Sequence, residues 1–191
     1  MSFSITTFKS TLNEGSRPNL YKVSVTAPNT QVPQANMTNF NFLCRSASLP
    51  SSTAGVIDIP MIAGRRLKRI GDRTFAEWTT TVLNDENFYI RSSLEKWQND
   101  IVKVNYNLTT IGNRTFTGGS DDYYSTVTVS QLDSSGNEVS NGKYTLYNCW
   151  PSDIAAIDLS YDTTDTLEEF TVTWTYDYYT VDGITVGGVT A

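Results

Sequence analysis

The chain has 191 residues, 39% of them hydrophobic and 18% charged, which is long enough to bury a core without disulfide or metal staples and is neither disordered nor collagenous in composition. It contains no histidine, which removes histidine-based triads, imidazole metal ligands and imidazole proton shuttles together. Fourteen cations against twenty carboxylates leave a formal charge of −6, which disfavours tight phosphate binding by the protein as a whole.

The first 19 residues are polar and rich in Ser and Thr and read as an arm ahead of the first strand. Tyr21, Val23 and Val25 alternate with Lys22, Ser24 and Thr26, the pattern of a half-buried strand. Residues 28–39 hold prolines, asparagines and glutamines and read as a loop; residues 40–49 read as a second strand closed by Pro50. Residues 56–61 are a short extended piece in which Pro60 disfavours a central position. In 75–83, Trp78, Thr80 and Val82 share one face, with Glu77, Thr79 and Thr81 on the other.

One amphipathic helix follows, with Asn84 or Asp85 as cap and Asp85 and Glu86 placed in its first turn. Its apolar stripe is Ile90, Leu94, Trp97 and Ile101, and it ends near Asn99. Residues 105–122 read as a long loop, and 123–132 alternate again through Val127 and Val129. Residues 133–137 form a hairpin turn signal. The sheet resumes at 143–149 and stops at Trp150-Pro151. Ile157, Leu159 and Tyr161 alternate, and 169–180 is the clearest strand, with Phe170, Val172, Trp174, Tyr176 and Tyr178 on one face. The tail, 180–191, is glycine-rich and expected to be flexible. The sum is one mainly β domain over 1–191: a two-sheet antiparallel β-sandwich or barrel of seven to ten strands with one flanking α-helix.

Candidate chemistry is sparse. Cys44 and Cys149 lack zinc or redox spacing and read as buried small hydrophobes, with a disulfide as the alternative. Adjacent Glu168 and Glu169 face opposite sides of a strand and cannot easily share a substrate. The acidic stretch 158–165 lacks the glycine and terminal glutamate of an EF-hand loop and reads as a turn. No catalytic residue, metal ligand or cofactor site is expected, and no apolar run approaches the ~20 residues of a membrane anchor.

The basic run is the sharper feature. Arg65, Arg66, Lys68 and Arg69, with Arg73 against Asp72, give segment 64–73 a net +4 and leave −10 for the rest. It reads as a solvated edge, as a nucleic-acid patch without interleaved aromatics, or as a contact with an acidic neighbour in the same fold or on another copy. A head-to-tail contact between copies would repeat. The polar strand faces, rich in Thr, Ser and acids, suit water and also suit a channel through which a polyanion slides without sticking.

The run Gly71-Asp72-Arg73-Thr74-Phe75, then Trp78 to Val82, Asn84-Asp85-Glu86 and a helix with Trp97-Gln98, resembles the tail tube protein of contractile-tailed bacteriophages. Arg17-Pro18, Ala47 to Pro50, Trp150-Pro151, Tyr161-Asp162 and Asp177-Tyr178 agree in order. Segments 28–39 and 102–122 and the tail after 179 exceed that pattern.

The resemblance implies a sandwich related to type VI secretion tube subunits. It implies hexameric rings stacked into the inner tail tube of the virion, made in the host cytoplasm, with DNA passing through the lumen without specific binding. The implied partners are further copies, the tail sheath, the tape-measure protein, a baseplate tube initiator and a tail terminator; an initiator or secretion-tube relative of the same fold is the alternative. On this reading Arg65, Arg66, Lys68 and Arg69 belong to a subunit or ring-stacking contact. Gly71, Asp72, Arg73, Thr74, Phe75, Trp78, Trp97, Trp150 and Pro151 are structural, and Thr171, Thr173, Thr175 and Asp177 are candidates for a lumen-facing strand.

Overall fold

The computed structural model describes residues 4–13, 15–28, 33–103, 108–109 and 123–183. Its helices are α1 (Ile5–Leu12), α2 (Gln34–Thr38), α3 (Phe40–Leu43) and α4 (Tyr89–Ile101). Its strands are β1 (Tyr21–Val25), β2 (Cys44–Ala47), β3 (Ser52–Pro60), β4 (Arg66–Phe75), β5 (Trp78–Leu83), β6 (Val102–Lys103), β7 (Leu108–Thr109), β8 (Ser125–Leu132), β9 (Glu138–Ile154), β10 (Glu169–Thr175) and β11 (Tyr178–Val181).

Two antiparallel sheets share one long strand. The first half of β9 pairs with β8, and β8 with β1, while β11 pairs along the other edge of that half of β9. The second half of β9 pairs with β10, followed by β5 and β2. The change of sheet falls at Asn148, whose φ of 55° is a left-handed conformation that asparagine tolerates better than most residues. The neighbouring chain turns at the same level, between β10 and β11. Asn148 Nδ2 donates to Asp177 Oδ2 at 2.7 Å and Asp177 N–H donates to the Tyr147 carbonyl at 3.1 Å, so the two corners are tied together.

The core lies between the sheets, closed by α4. Alternation holds where it is cleanest: Trp78, Thr80 and Val82 are buried in β5, and Phe170, Val172 and Trp174 in β10. Trp174 is the hub, with ring centroids 6.0 Å from Phe40, 6.4 Å from Trp78 and 6.0 Å from Trp97. Every indole N–H of this group is satisfied, Trp78 by the Ser48 carbonyl, Trp97 by the Tyr123 carbonyl and Trp174 by Thr80 Oγ1, as burial of a donor requires.

Several expectations are corrected. The arm contains α1, whose Ile5, Phe8 and Leu12 are exposed. The second strand begins only at Cys44, after α3, and part of the 28–39 loop is α2. Helix α4 starts at Tyr89, because Phe88 takes φ 55° and breaks the turn before it. Asp85 and Glu86 therefore precede the helix; Asp85 still reaches it, Oδ2 accepting from Tyr89 N–H at 3.3 Å. Trp150-Pro151 does not stop the sheet: Pro151 is inside β9, whose second half has no neighbour on its other side among the described residues, so no ladder donor is lost there. The strand expected over 169–180 breaks at Tyr176-Asp177, and Tyr178 is exposed rather than core. Ile157, Leu159 and Tyr161 lie in a loop, because β9 pairing ends at Ile154 and no other strand flanks them. Most of 105–122 and of the tail, 184–191, lie outside the described residues.

Both cysteines are buried and free, as read from their isolation. Burial pushes the Cys44 thiol up to about 12 and raises that of Cys149 as well. Thiolate is the reactive form, so at pH 8 a disulfide reagent is expected to label the native chain about 100-fold or more slowly than the unfolded chain. Rapid labelling of the folded protein would contradict this burial.

Candidate functional site

The basic run is one arm of a hairpin. Among the described residues β3 pairs only with β4, from Ser52 opposite Phe75 to Pro60 opposite Arg66. The tip is closed by Met61 N–H to the Arg65 carbonyl at 2.8 Å and Gly64 N–H to the Met61 carbonyl at 3.2 Å, with Ala63 and Gly64 at positive φ. The strands approach closely at a bulge: a Cβ on Gly71 would lie 3.2 Å from the Gly55 carbonyl carbon, closer than the neighbouring strand allows without moving. That approach is a backbone reason for glycine at both positions.

The hairpin root is anchored to the body. Arg73 stacks over Phe75 at 5.0 Å and over Tyr179 of β11 at 5.3 Å. It also donates to Ser52 Oγ at 3.0 Å and to the Tyr179 hydroxyl at 3.3 Å. Phe75 meets Tyr179 edge-on at 5.5 Å. Arg73 and Phe75 thus orient the hairpin, while Asp72 and Thr74 are exposed strand residues and Thr74 Oγ1 donates to the Thr53 carbonyl at 3.4 Å.

Beyond the root, the hairpin is exposed on both faces. Period-two alternation divides the four cations: the register sets Arg69 opposite Ile57 and Leu67 opposite Ile59, and on the other face Lys68 opposite Asp58 and Arg66 opposite Pro60. Arg66 reaches Asp58 at 3.6 Å, and among the described residues Arg65, Lys68 and Arg69 make no ion pair. Between the cations stand Val56, Ile57, Ile59, Met61, Leu67 and Ile70, all exposed, and the tip residue Ile62 is 100% exposed. These apolar residues were missed as a surface from sequence. The available signal was apolar residues at both parities of two runs flanking Ala63-Gly64, which no single buried face can accommodate.

Three of the four residues read as a polar strand face, Thr171, Thr173 and Thr175, share one face of β10. Thr171 stands opposite Thr81 and Thr173 opposite Thr79, with Thr175 beside Trp150. Asp177 does not join them; it is exposed at the sheet corner holding Asn148. The nearest cation on this sheet, Arg45 of β2, is paired with Glu169. The matching outer face of the other sheet carries Lys22 and Lys143 around Glu138. Trp97 is buried on α4, and Pro151 is buried in β9 beside half-buried Trp150, its carbonyl accepting from Gln98 Nε2 at 3.2 Å. Among the described residues no three acidic or thiol groups converge to hold a metal ion, and no helix is long and apolar enough to cross a membrane.

The profile of the phage tail tube protein family matches residues 16–182. The tail tube protein gp19 of Enterobacteria phage T6 and that of Enterobacteria phage T4 are each 29% identical over 165 residues, covering 85% of this chain and 90% of the relative. In fold, the chain is similar to a chain from the tube-terminating cap of the anti-feeding prophage, at 17% identity and TM-score 0.60 over 87% of this chain and 90% of that one. It is similar too to a chain of the sheath–tube complex of an extracellular contractile injection system in its extended state, at 15% identity and TM-score 0.58 over 96% and 100%.

Proposed function

The chain belongs to the phage tail tube protein family, and from that premise we propose that it polymerises as stacked hexameric rings into the inner tube of a contractile tail, the conduit for DNA. Its role is structural rather than catalytic. The observation that carries this reading is the β3–β4 hairpin, an arm with apolar residues exposed on both faces. A soluble monomer rarely leaves so much contiguous apolar surface open, and such surface marks a site of association.

Open sheet edges support ring closure. β2 and the second half of β9 bound the same sheet, and their outer edges have no partner among the described residues; a free edge is a template for a strand of another chain. The lumen wall in this reading is the face of Thr79, Thr81, Thr171, Thr173 and Thr175. Its hydroxyls hydrate without attracting phosphate, and its neighbouring Arg45 is neutralised by Glu169. The other sheet, with Lys22 and Lys143, suits the outer surface facing a sheath. A tape-measure protein in the lumen, and an initiator and a terminator at the tube ends, complete the assembly in the virion.

Negative-stain electron microscopy of the purified chain at rising concentration tests this. Rings or tubes of uniform bore are the expected result. A chain that stays monomeric at every concentration, even when seeded with preformed tube ends, overturns it.

A further inference from the structure

The hairpin and the loop between β9 and β10 are opposites in charge and alike in exposure. Residues 52–75 carry five cations and two carboxylates, a net +3, whereas residues 155–169 carry five carboxylates and no cation. Among the described residues Asp158, Asp162 and Asp165 make no ion pair. The loop also exposes large apolar side chains, Leu159 at 80%, Tyr161 at 104% and Leu167 at 78%. These three line a surface cleft of about 620 Å³ whose rim includes Asp158 and Glu168.

The register places the two features at opposite ends of one sheet. β5 pairs with β10 from Trp78 opposite Trp174 to Leu83 opposite Glu169. The hairpin joins the sheet at the Trp78 end, and the acidic loop leaves it at the Glu169 end, about 17 Å away along a strand of this length. Among the described residues no ion pair joins the hairpin to the loop of its own chain, and with the two features leaving the sheet at opposite ends, the next copy along the strand direction can offer one to the other.

We propose that the acidic, apolar cleft of residues 156–169 receives the basic, apolar hairpin of a second copy, resting on the polymerising reading above. The contact is head-to-tail, so each copy uses a hairpin and a cleft once and the chain of contacts repeats. Ile62 and its apolar neighbours meet Leu159, Tyr161 and Leu167, while Arg65, Lys68 and Arg69, which make no ion pair among the described residues, meet the carboxylates of the loop. Complementary charge sets the register and excludes the like-charged hairpin-to-hairpin and cleft-to-cleft pairings.

The test uses the full chain. D158K/D162K/D165K changes three exposed residues that make no ion pair, and it is expected to raise the concentration needed for tubes at least ~10-fold with an unchanged melting temperature. Combining it with reversal of Arg65, Lys68 and Arg69 is expected to restore assembly. A second variant, L159S/Y161S, removes the apolar half without altering charge and is expected to weaken assembly similarly. Ile62→Cys with Leu159→Cys and a short bis-maleimide should give covalent ladders in tubes, since the native cysteines are buried. Folded loop variants that polymerise at the wild-type concentration, or tubes without ladders, overturn the docking while leaving the tube reading intact. A wild-type chain that never polymerises overturns the tube reading, and the docking with it.

Discussion

Replacing Trp174 with alanine is expected to destabilise the chain by about 3–5 kcal/mol, the range for truncating a buried aromatic. Trp174 is fully buried, touches the rings of Phe40, Trp78 and Trp97, and links β10 to α3, β5 and α4. Its removal takes away contacts from both the sheet and the helices, and it strips Thr80 Oγ1 of the donor 2.9 Å away. For a chain of this size the loss corresponds to a fall in melting temperature of roughly 10–15 °C. Trp174→Phe keeps ring contacts and loses the hydrogen bond, so its cost should be nearer 1–2 kcal/mol. Urea unfolding of both variants measures the difference. An alanine variant as stable as the wild type would mean that this cluster is not where the sheets are held together.

The second large effect concerns assembly rather than folding. The fourfold reversal R65E/R66E/K68E/R69E leaves the core untouched, because the hairpin contributes to it only through Phe75 at the root. Melting temperature and far-ultraviolet circular dichroism should stay near wild type. If the hairpin is a contact between copies, a loss of about 3 kcal/mol per contact would raise the concentration at which tubes appear about 100-fold. The faces can be separated: R65E/R69E alters the side bearing Ile57, Ile59 and Leu67, whereas R66E/K68E sets like charges against Asp58. Normal tubes from the fourfold variant would remove these cations from the assembly surface.

The phage tail tube resemblance drawn from residues 17–178 agrees with the family match over residues 16–182. The homologues it matches are structural tail tube proteins, and a sheath–tube complex is among the chains of similar fold. The motif around Gly71 to Phe75 was legible as a motif but not as geometry. Nothing in its spelling shows that Arg73 lies across Tyr179, a residue more than a hundred positions later that arrives only when β11 pairs with β9.

Local patterning was enough for the buried faces of β5, α4 and β10, though not for where α4 begins or β10 ends. In each, side chains repeat with the period of the element, and one face has only one place to go once a core exists. It was enough also for the turn at 133–137, where Asp133 Oδ1 accepts from the N–H groups of Ser135 and Asn137 at 2.8 Å, a contact confined to five residues. Periodicity could not reveal the hairpin, because β3 and β4 bury neither face and alternation there carries no sign of inside or outside. The corner at Asn148 and Asp177 depends on two strands turning together, so a run of residues through 176–178 looks like uninterrupted strand until its partner bends. The opposite placement of the hairpin and the acidic loop follows from the register between β5 and β10, a pairing between residues some ninety positions apart. Short-range alternation and turn chemistry are encoded by neighbours in the chain; which surfaces stay uncovered, and at which ends of a sheet they lie, is decided by contacts that exist only in the folded molecule.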